Sequence, residues 1–597
     1  MIQQNEKEVA TGWATKRLLP GFEAPDRLEI YDTRGAAYDV QLCITILAGL
    51  INRQKPRIYL LSNSDAESLF KTLLAHIPHE YINSGATDSL DAMLAKYRAL
   101  VKGIIIYDPE LLDSVNVATT MAGLRDAIVV SPPQAVALQQ KPYELPVVAD
   151  LRIYHWKNRL QAYRWAQRNL LKEASQQVVA GMGPGIATGL RSYLVATRAF
   201  VYWLNPLNIL PDPSNAWTTE RCLMKRILRA FQPGTPHLGW LVNEFAGIHM
   251  TSKAALPVLP SDFFYNLEVW TAIQPPASEE ADLGDQDSTA DTCQDGQPDT
   301  TATRQGNHAS TATAHQSAQP TTADRGQGDR EGRPYPITNE VANPVQGRGD
   351  REGRPGPGRG SLGRPSTSKV YVSFTMSDGD NLQYNQHRLY QMWQDPARGS
   401  IPLGWTVSPV LCEAAPALAA YYEQTATPGD ELIAGPSGAG YMWPSSWPAD
   451  QLSAYTQLTG ALMQRMHLHT IQVLDGPLSL FFPRRAWQKQ YAELLAPYGL
   501  RGILSGDSYC RTGWWVAAGV AVIQNLGLSK SVARTLKLIK NNTPAHVHRP
   551  QFINVYIYAW TMTPTDIKKV IETLDNRYEV VTPGQLCALI AQTRERA

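Results

Sequence analysis

The sequence predicts an α/β protein with three parts: an N-terminal α/β domain with a mostly parallel sheet, a long disordered linker, and a C-terminal (β/α) barrel of seven or eight strands. Two observations lead to this fold class. Apolar runs of strand length alternate with segments of helical spacing, an order typical of parallel sheets covered by helices. Between the two folded parts, residues 275–368 contain almost no large apolar side chains. The 597 residues suffice for several domains.

The N-terminal α/β domain is predicted over residues 25–274, after an N-terminal extension at residues 1–24. Helical spacing is expected over residues 40–52 and 150–174, among other segments. Because strand and helix signals alternate, the strands should lie parallel to one another. The predicted strands are residues 28–33, 57–61, 103–107, 127–131, 177–180, 200–204 and 238–242.

The predicted linker, residues 275–368, consists mainly of Gly, Pro, Ser, Thr, Asp, Gln and Arg, and its only aromatic residue is Tyr335. Such a segment buries too little apolar surface to offset the entropy lost on ordering, so we expect disorder. It contains one perfect repeat, GDREGRP, at residues 328–334 and 349–355. A repeat this short does not build a solenoid, and no catalytic role is expected for it.

The C-terminal barrel is predicted over residues 369–597, where strand-like runs recur with helical stretches between them. Their number and spacing favour a closed (β/α) barrel, whose active site lies where the strands end. The predicted strands are residues 370–376, 403–410, 431–434, 470–474, 502–504, 520–524, 552–558 and 579–581.

The first barrel strand is followed directly by Ser377-Asp378-Gly379-Asp380-Asn381. Two carboxylates and an amide thus stand at the strand end where barrels bind ligands. Asp378 or Asp380 could instead cap the helix expected after them. Two carboxylates beside residues that tolerate unusual backbone angles exceed what one cap requires, so we expect a site here.

Other acids and aromatic residues are expected at the same barrel face. Asp475, Asp507, Glu413 and Trp560 follow later strands, and Glu244 follows a strand of the N-terminal domain, from which it could reach over the barrel mouth. As alternatives, Asp475 and Asp507 could be turn residues and Glu244 a local structural acid. Tyr441 and Trp443 follow a strand in a Gly- and Pro-rich loop, which favours an exposed aromatic surface over a core position.

Composition argues against several classes of protein. The net charge of +1 gives no basic excess for nucleic acid, and the longest apolar runs are too short to span a membrane. The six cysteines are far apart and form no CxxC pair, so neither a zinc site nor a disulfide framework is expected. Without a visible signal peptide, a cytoplasmic location is predicted. The sequence leaves the oligomeric state open.

Several motifs identify a family. Residues 438–444, GAGYMWP, together with SDGDN (377–381), LGWTVSP (403–409) and GWLVNEF (239–245), resemble the GxGYxYP proteins. This resemblance implies a family-specific N-terminal domain, a C-terminal barrel and glycoside hydrolase activity. Trp443 replaces the second Tyr of the signature, which keeps an aromatic ring but removes a hydroxyl.

Glycoside hydrolysis generally uses two carboxyl groups, and we expect Asp378 or Asp380 to act with Asp475 or Asp507. Contacts to a carbohydrate substrate are expected from Asn381, Tyr441, Trp443, Glu413, Trp560 and Glu244. No cofactor is predicted, although Asp378, Asp380 and Asn381 leave a Ca²⁺ or Mg²⁺ site open. The alternatives are a non-catalytic carbohydrate-binding protein and a metal-dependent polysaccharide deacetylase. The barrel histidines do not form an evident zinc ligand set, which disfavours the deacetylase.

Overall fold

A computed structural model of the protein describes residues 17–82, 86–210, 218–275, 364–476 and 485–594. The predicted linker lies outside the described residues except for residue 275 and residues 364–368, and so does most of the predicted N-terminal extension. Within the described ranges, no helix is long and apolar enough to cross a membrane.

The N-terminal region confirms the parallel α/β prediction but divides its strands among three small sheets. The first has the order β2-β1-β3, the second β5-β4-β6 and the third β10-β9-β7-β8, and every pairing within them is parallel. The strands are β1 (Leu28–Asp32), β2 (Ile58–Leu61), β3 (His79–Ile82), β4 (Gly103–Ile106), β5 (Ala127–Val130), β6 (Val147–Asp150), β7 (Val179–Gly181), β8 (Phe200–Tyr202), β9 (His237–Gly239) and β10 (Val258–Pro260).

The helices of this region connect successive strands, as the alternation of signals predicts. One expected helix, residues 150–174, is shorter than predicted: Asp150 ends β6, and the helix begins only after Asn158, whose side chain accepts a hydrogen bond from Gln161 N at 3.1 Å. The helices are α1 (Tyr38–Ile51), α2 (Ser64–Leu69), α3 (Ala86–Tyr97), α4 (Ser114–Arg125), α5 (Pro132–Leu138), α6 (Arg159–Asn169), α7 (Arg191–Ala196), α8 (Glu220–Leu228), α9 (Glu244–Lys253) and α10 (Leu267–Trp270).

The C-terminal region forms a closed barrel of seven parallel strands in the order β12-β13-β14-β15-β17-β18-β11, and β11 pairs again with β12 to close the ring. Burial along both faces of these strands explains their near-continuous apolar sequences. The strands are β11 (Val370–Met376), β12 (Leu403–Val407), β13 (Asp430–Ala434), β14 (Thr470–Val473), β15 (Gly502–Tyr509), β16 (Trp514–Ala517), β17 (Val520–Ser529), β18 (Gln551–Ile557) and β19 (Tyr578–Val580).

Two of these strands stand outside the ring. The eighth predicted run, residues 579–581, corresponds to β19, which pairs with the first residues of β11. A hairpin strand that the sequence did not predict, β16, pairs antiparallel with β17. The barrel helices are α11 (Leu382–Gln386), α12 (Arg388–Met392), α13 (Leu411–Ala414), α14 (Pro416–Thr425), α15 (Ala449–Arg465), α16 (Arg485–Leu495), α17 (Val532–Asn541), α18 (Pro564–Glu572) and α19 (Pro583–Arg594).

The barrel interior is layered. Its base is apolar, where Tyr371, Leu504, Ile523 and Phe552 pack against Leu586 of α19. Because side chains alternate along a strand, the inward positions two and four residues after Tyr371 are Ser373 and Thr375, both fully buried. The barrel interior therefore changes from apolar at the base to polar at the carboxyl ends of the strands, where the SDGDN turn follows β11.

The N-terminal region and the barrel belong to one compact unit. Gln386 of α11 donates from Nε2 to Tyr265 O at 3.1 Å and accepts from Tyr265 N at 2.9 Å. Glu413 accepts a hydrogen bond from Leu18 N at 2.8 Å. The N-terminal sheets thus contact the barrel through specific hydrogen bonds.

Candidate active site

The SDGDN turn is fixed against the neighbouring barrel strand. Gly379 N donates to Thr406 Oγ1 at 2.9 Å, and a Cβ at Gly379 would lie 2.1 Å from the carbonyl carbon of Thr406. Only glycine fits this approach. Asp378 has a left-handed backbone with φ of 73°, a conformation that is rare for residues other than glycine and that recurs at functional sites.

Asp378 is half-buried beside two hydrogen-bond donors. Burial raises the pKa of its carboxyl, while hydrogen bonds from the Ser377 hydroxyl and from Trp560 oppose the rise. Both donors favour the ionised carboxylate. Of the two carboxyls in this turn, Asp378 is therefore the one whose side-chain hydrogen-bond donors stabilise a negative charge.

Asp380 lies in a different electrostatic environment. Burial, followed by the negative charges of Asp378 and Glu244, raises the pKa of Asp380 well above its usual range, and only the Asp380 backbone opposes the shift. The described side chains donate no hydrogen bond to this carboxyl. A carboxyl without side-chain donors and beside like charges binds its proton more tightly.

The loop of residues 438–444, which we call the signature loop, requires glycine at two positions. Gly438 and Gly440 have φ values of 127° and 136°, which other residues rarely adopt. A Cβ at Gly440 would lie 2.8 Å from Pro257 Cβ. This close approach lets Tyr441 pair with Val258 of β10, through hydrogen bonds of 2.7 and 3.1 Å. The loop thereby joins the barrel to the third N-terminal sheet.

Tyr441 also contacts a carboxyl supplied by the N-terminal region. Its hydroxyl donates to Glu244 Oε1 at 3.1 Å, and Glu244 is the first residue of α9. Burial, then the charges of Asp378 and Asp507, raise the pKa of Glu244, and the hydrogen bond from Tyr441 opposes them. Glu244 therefore lies within electrostatic reach of acids at two barrel strand ends.

Asp507 lies on an irregular stretch of β15, where the register with β17 shifts between Ser505 and Tyr509. Burial raises the pKa of Asp507, and the Ser508 hydroxyl, which donates at 2.8 Å, opposes the rise. Gly506, directly before it, has φ of 71°. An irregularity of this kind redirects a side chain out of the regular alternation.

A buried network of amide side chains holds the carbonyl of Gly506. Gln472 Nε2 and Asn525 Nδ2 donate to Gly506 O at 2.6 and 2.7 Å, and Asn525 Nδ2 also contacts Gln472 Oε1 at 2.6 Å. Asn554 Nδ2 donates to Asn525 Oδ1 at 2.6 Å, and Ser373 Oγ donates to Asn554 Oδ1 at 2.7 Å. The polar layer of the barrel thus connects β11 to the backbone beside Asp507.

The structure brings together Glu244, Asp378, Asp380 and Asp507, which we call the carboxyl cluster. No lysine or arginine among the described residues forms a salt bridge with any of the four. Each member has a pKa above its usual range, chiefly because of burial. Because their charges influence one another, members of the cluster titrate as a coupled group rather than independently.

Three other predicted site residues have different contacts. Asp475 accepts hydrogen bonds from Ser445 N at 3.1 Å and Ser445 Oγ at 2.6 Å. Asn381 caps α11 by accepting from Tyr384 N at 3.1 Å. Glu413 accepts from Arg465 at 3.0 Å as well as from Leu18 N. The carboxyl of Glu413 and the side-chain oxygen of Asn381 are thus engaged by the protein itself.

The aromatic residues lie closer to the core than their loop suggested, since Tyr441 and Trp443 are each only 4% exposed. Sequence reasoning missed two buried tyrosines beside the cluster. The pKa of Tyr556 is raised by burial and by Asp378, Asp380 and Asp507. The Tyr384 ring packs 5.9 Å from Trp560. Tyr556 is two residues after Asn554 on β18, so strand alternation could have placed it inside the barrel.

Within the part of the chain that the structure describes, no three His, Cys, Asp or Glu side chains are arranged to hold a metal ion. His387, the histidine nearest the SDGDN turn in sequence, contacts Phe263 O at 3.1 Å and Asp65 at 3.3 Å instead.

Comparison with protein families matches three models along the chain. Residues 368–591 match the "GxGYxYP putative glycoside hydrolase C-terminal domain", residues 176–272 the "GxGYxYP third domain", and residues 101–174 the "GxGYxYP_N second domain". The last two ranges coincide with the third and second N-terminal sheets. No curated protein gives a significant match.

A solved structure has the same fold over nearly the whole chain. It is the crystal structure of a "putative hydrolase" from Bacteroides thetaiotaomicron VPI-5482, with a TM-score of 0.69 and 20% sequence identity, and the match covers 96% of each chain. The N-terminal sheets and the barrel thus recur together in another protein.

Proposed function

The chain belongs to the GxGYxYP family, and we propose that it hydrolyses a glycosidic bond of a carbohydrate at the carboxyl ends of the barrel strands. The description of the C-terminal family model reads "putative glycoside hydrolase", and the substrate and the residues that act on it are part of the proposal. The observation that carries the proposal is the carboxyl cluster, in which one acid is set up to keep its proton and another to lose it.

Asp380 is the proposed general acid. Its pKa is raised by burial and by the charges of Asp378 and Glu244, which favours the protonated form that a general acid needs. Protonation of the glycosidic oxygen lets the leaving sugar depart as an alcohol. If Asp378 is the nucleophile, the water that cleaves the glycosyl-enzyme returns its proton to Asp380. If Asp378 is the base, it takes the proton of the attacking water and releases it to solvent, from which Asp380 is reprotonated; in either case one water molecule is consumed for each bond broken.

We assign to Asp378 the negative charge beside the anomeric carbon. It acts either as the nucleophile or as the base that activates water. Its hydrogen bonds from Ser377 and Trp560 favour the ionised form, and its neighbour on the same turn is the proposed acid. Two carboxyls whose environments differ in this way divide the acid and base roles between them.

Glu244, Tyr441 and Asp507 are the proposed substrate-positioning groups. The Tyr441 hydroxyl donates to Glu244, which leaves the other carboxyl oxygen of Glu244 available to a sugar hydroxyl. Since Glu244 comes from the N-terminal region, a complete site requires both parts of the protein.

The test is a screen of aryl glycosides and neutral oligosaccharides with wild type, Asp378→Asn and Asp380→Asn. The matched control is Asp450→Asn, which removes an exposed carboxyl from α15 of the same barrel. We expect wild type and control to turn over the same substrate, and each cluster variant to lose about 10²–10⁴-fold in kcat. Oligosaccharide binding without turnover by wild type would identify a non-catalytic binding protein. Activity that survives both substitutions would refute the assigned roles.

A further inference from the structure

Phe245 is an exposed aromatic residue directly beside the carboxyl cluster. It follows Glu244 on α9, and 58% of its surface is exposed. Exposed apolar residues are common on protein surfaces, so exposure alone carries no function. The position of Phe245 is what points to a function, because the residue before it, Glu244, contacts Tyr441 of the barrel.

The Phe245 ring lies near the ring of Trp443. Its centroid lies 6.2 Å from that of Trp443, with the ring planes inclined by 40°. Trp443 also contacts the end of β14, where a Cβ on Gly476 would lie 3.1 Å from the indole. Behind these rings, the His249 ring lies 6.2 Å from Trp443 and contacts Ser446 Oγ at 2.9 Å. The buried Trp443 therefore supports an exposed phenyl face.

Polar groups lie close to Trp443 along the chain: Ser445 is two residues after it, and Asp475 precedes Gly476, which approaches the indole. Ser445 is exposed, and its hydroxyl donates to Asp475 Oδ1 at 2.6 Å. An apolar ring face beside hydroxyl and carboxylate groups matches a pyranose, which presents C–H bonds on its faces and hydroxyl groups at its edges. A protein partner would be expected to require a broader apolar surface than one phenyl ring.

We propose that Phe245 forms a sugar-binding subsite next to the carboxyl cluster. Its exposed ring stacks against a pyranose unit other than the two joined by the scissile bond, and Ser445 and Asp475 contact the hydroxyl groups of the same chain. The proposal rests on the proposed function and makes the substrate class more specific: an oligosaccharide or polysaccharide chain, bound partly by the N-terminal region, rather than a short glycoside.

The test compares wild type with Phe245→Ala on a length series, from an aryl monosaccharide to a hexasaccharide, of whichever sugar the wild type cleaves. We expect equal kcat/KM on the aryl monosaccharide and a loss of about tenfold on the longer chains, mainly through KM, because the burial of one phenyl face is lost. Phe245→Trp should keep the preference for long chains. The matched control is Ile153→Ala, which removes a side chain that is 66% exposed on the second N-terminal domain.

Other outcomes overturn the subsite. An unchanged length dependence in Phe245→Ala, with turnover intact, refutes the subsite while the glycosidase function stands. A wild-type dimer that Phe245→Ala dissociates shows that the ring covers an interface between copies. If wild type cleaves none of the screened sugars, calorimetry with neutral hexasaccharides from the activity screen decides: binding that Phe245→Ala weakens supports the subsite, and absence of binding refutes both the subsite and the proposed function.

Discussion

At the scale of single residues, the members of the carboxyl cluster differ in their partners from two other buried acids. Asp430 pairs with Arg398 at 2.8 Å and Glu413 with Arg465 at 3.0 Å, so these buried acids have positive partners. The members of the carboxyl cluster have hydroxyl, indole or like-charged neighbours instead. A carboxyl that is shielded from water and has no positive partner binds its proton more tightly, which suits the cluster members to the proposed proton transfer.

A further buried carboxyl, Asp262, predicts a pH dependence of stability. Burial raises its pKa to about 6, against hydrogen bonds from its own backbone, Gln383 and Phe263 N. Since the folded state binds this proton more tightly than the unfolded state, the stabilisation is complete below the unfolded pKa, near 4, and is lost as the pH rises through 6. The difference amounts to about 3 kcal/mol.

We therefore predict that Asp262→Asn removes this pH dependence. The free energy of unfolding of the variant minus that of wild type should increase by about 2–3 kcal/mol between pH 4 and pH 7, because only wild type loses this contribution. Chemical denaturation at both pH values measures it, with Asp450→Asn as the exposed control. A constant difference between Asp262→Asn and wild type would show that Asp262 titrates normally in the folded protein.

At the scale of elements, the signature loop acts as a connector between the barrel and β10. The predicted effect of Gly440→Ala follows from its φ of 136° and from the 2.8 Å approach to Pro257 Cβ. The added methyl group should separate Tyr441 from β10 and from Glu244. We expect a loss of about 1–3 kcal/mol in stability and a larger relative loss of activity.

The control for this substitution is Gly519→Ala. Gly519 also has a positive φ, 79°, but a Cβ there meets nothing within 4 Å. Thermal unfolding and kcat/KM are measured for both variants. Gly519→Ala reports the effect of backbone strain alone, and the additional effect of Gly440→Ala reports the loss of the loop contact. Equal effects of the two substitutions on activity would contradict a connecting role for the loop.

The amide network gives a second prediction at this scale. Asn525→Leu removes the partners of Asn554 Nδ2 and Gln472 Oε1, and each buried unpaired group costs about 1–3 kcal/mol. We expect a loss of about 2–5 kcal/mol in the free energy of unfolding. Gln451→Leu, on the half-exposed side of α15, is the control. A small effect of Asn525→Leu would mean that water replaces the missing amide.

Element by element, the sequence predicted the barrel better than the N-terminal sheets. The barrel strands are long, apolar and buried, so their pattern is unambiguous. β3 and β6 were missed because their side chains are largely exposed, and β10 because it is three residues long and ends in Pro260. The position of Glu244 was predicted from a strand end, whereas its contact with Tyr441 depends on packing between distant parts of the chain. Tyr384 and Tyr556 look like ordinary core residues in the sequence.

At the scale of the whole molecule, the N-terminal region is part of the proposed site. It supplies Glu244, pairs with the signature loop through Val258, and holds α11 through the Tyr265–Gln386 hydrogen bonds. The third N-terminal sheet and the segments that follow β9 and β10 therefore contact the signature loop and the helix after the SDGDN turn. This arrangement explains why the family motifs extend beyond the barrel.

The segment between these parts should be dispensable, as its composition predicts. Replacement of residues 276–363 by a flexible Gly/Ser linker should change the thermal midpoint and kcat/KM little, because the contacts between the N-terminal region and the barrel lie outside this segment. Differential scanning calorimetry and steady-state kinetics measure both. A large fall in the midpoint, with the flanking residues unchanged, would show that the segment packs on the folded protein.

The central claim is that Asp380 holds the proton that the leaving sugar takes, and leaving-group dependence tests it most directly. The measurement is kcat/KM against pH for wild type and Asp380→Asn on two substrates of the same sugar: an unactivated oligosaccharide and a dinitrophenyl glycoside. We predict that the variant loses about 10²–10⁴-fold on the oligosaccharide but little on the dinitrophenyl glycoside, whose leaving group needs no proton. The alkaline limb of the wild-type profile, set by the raised pKa of Asp380, should disappear in the variant. Equal losses on both substrates, or an unchanged alkaline limb, would contradict the account.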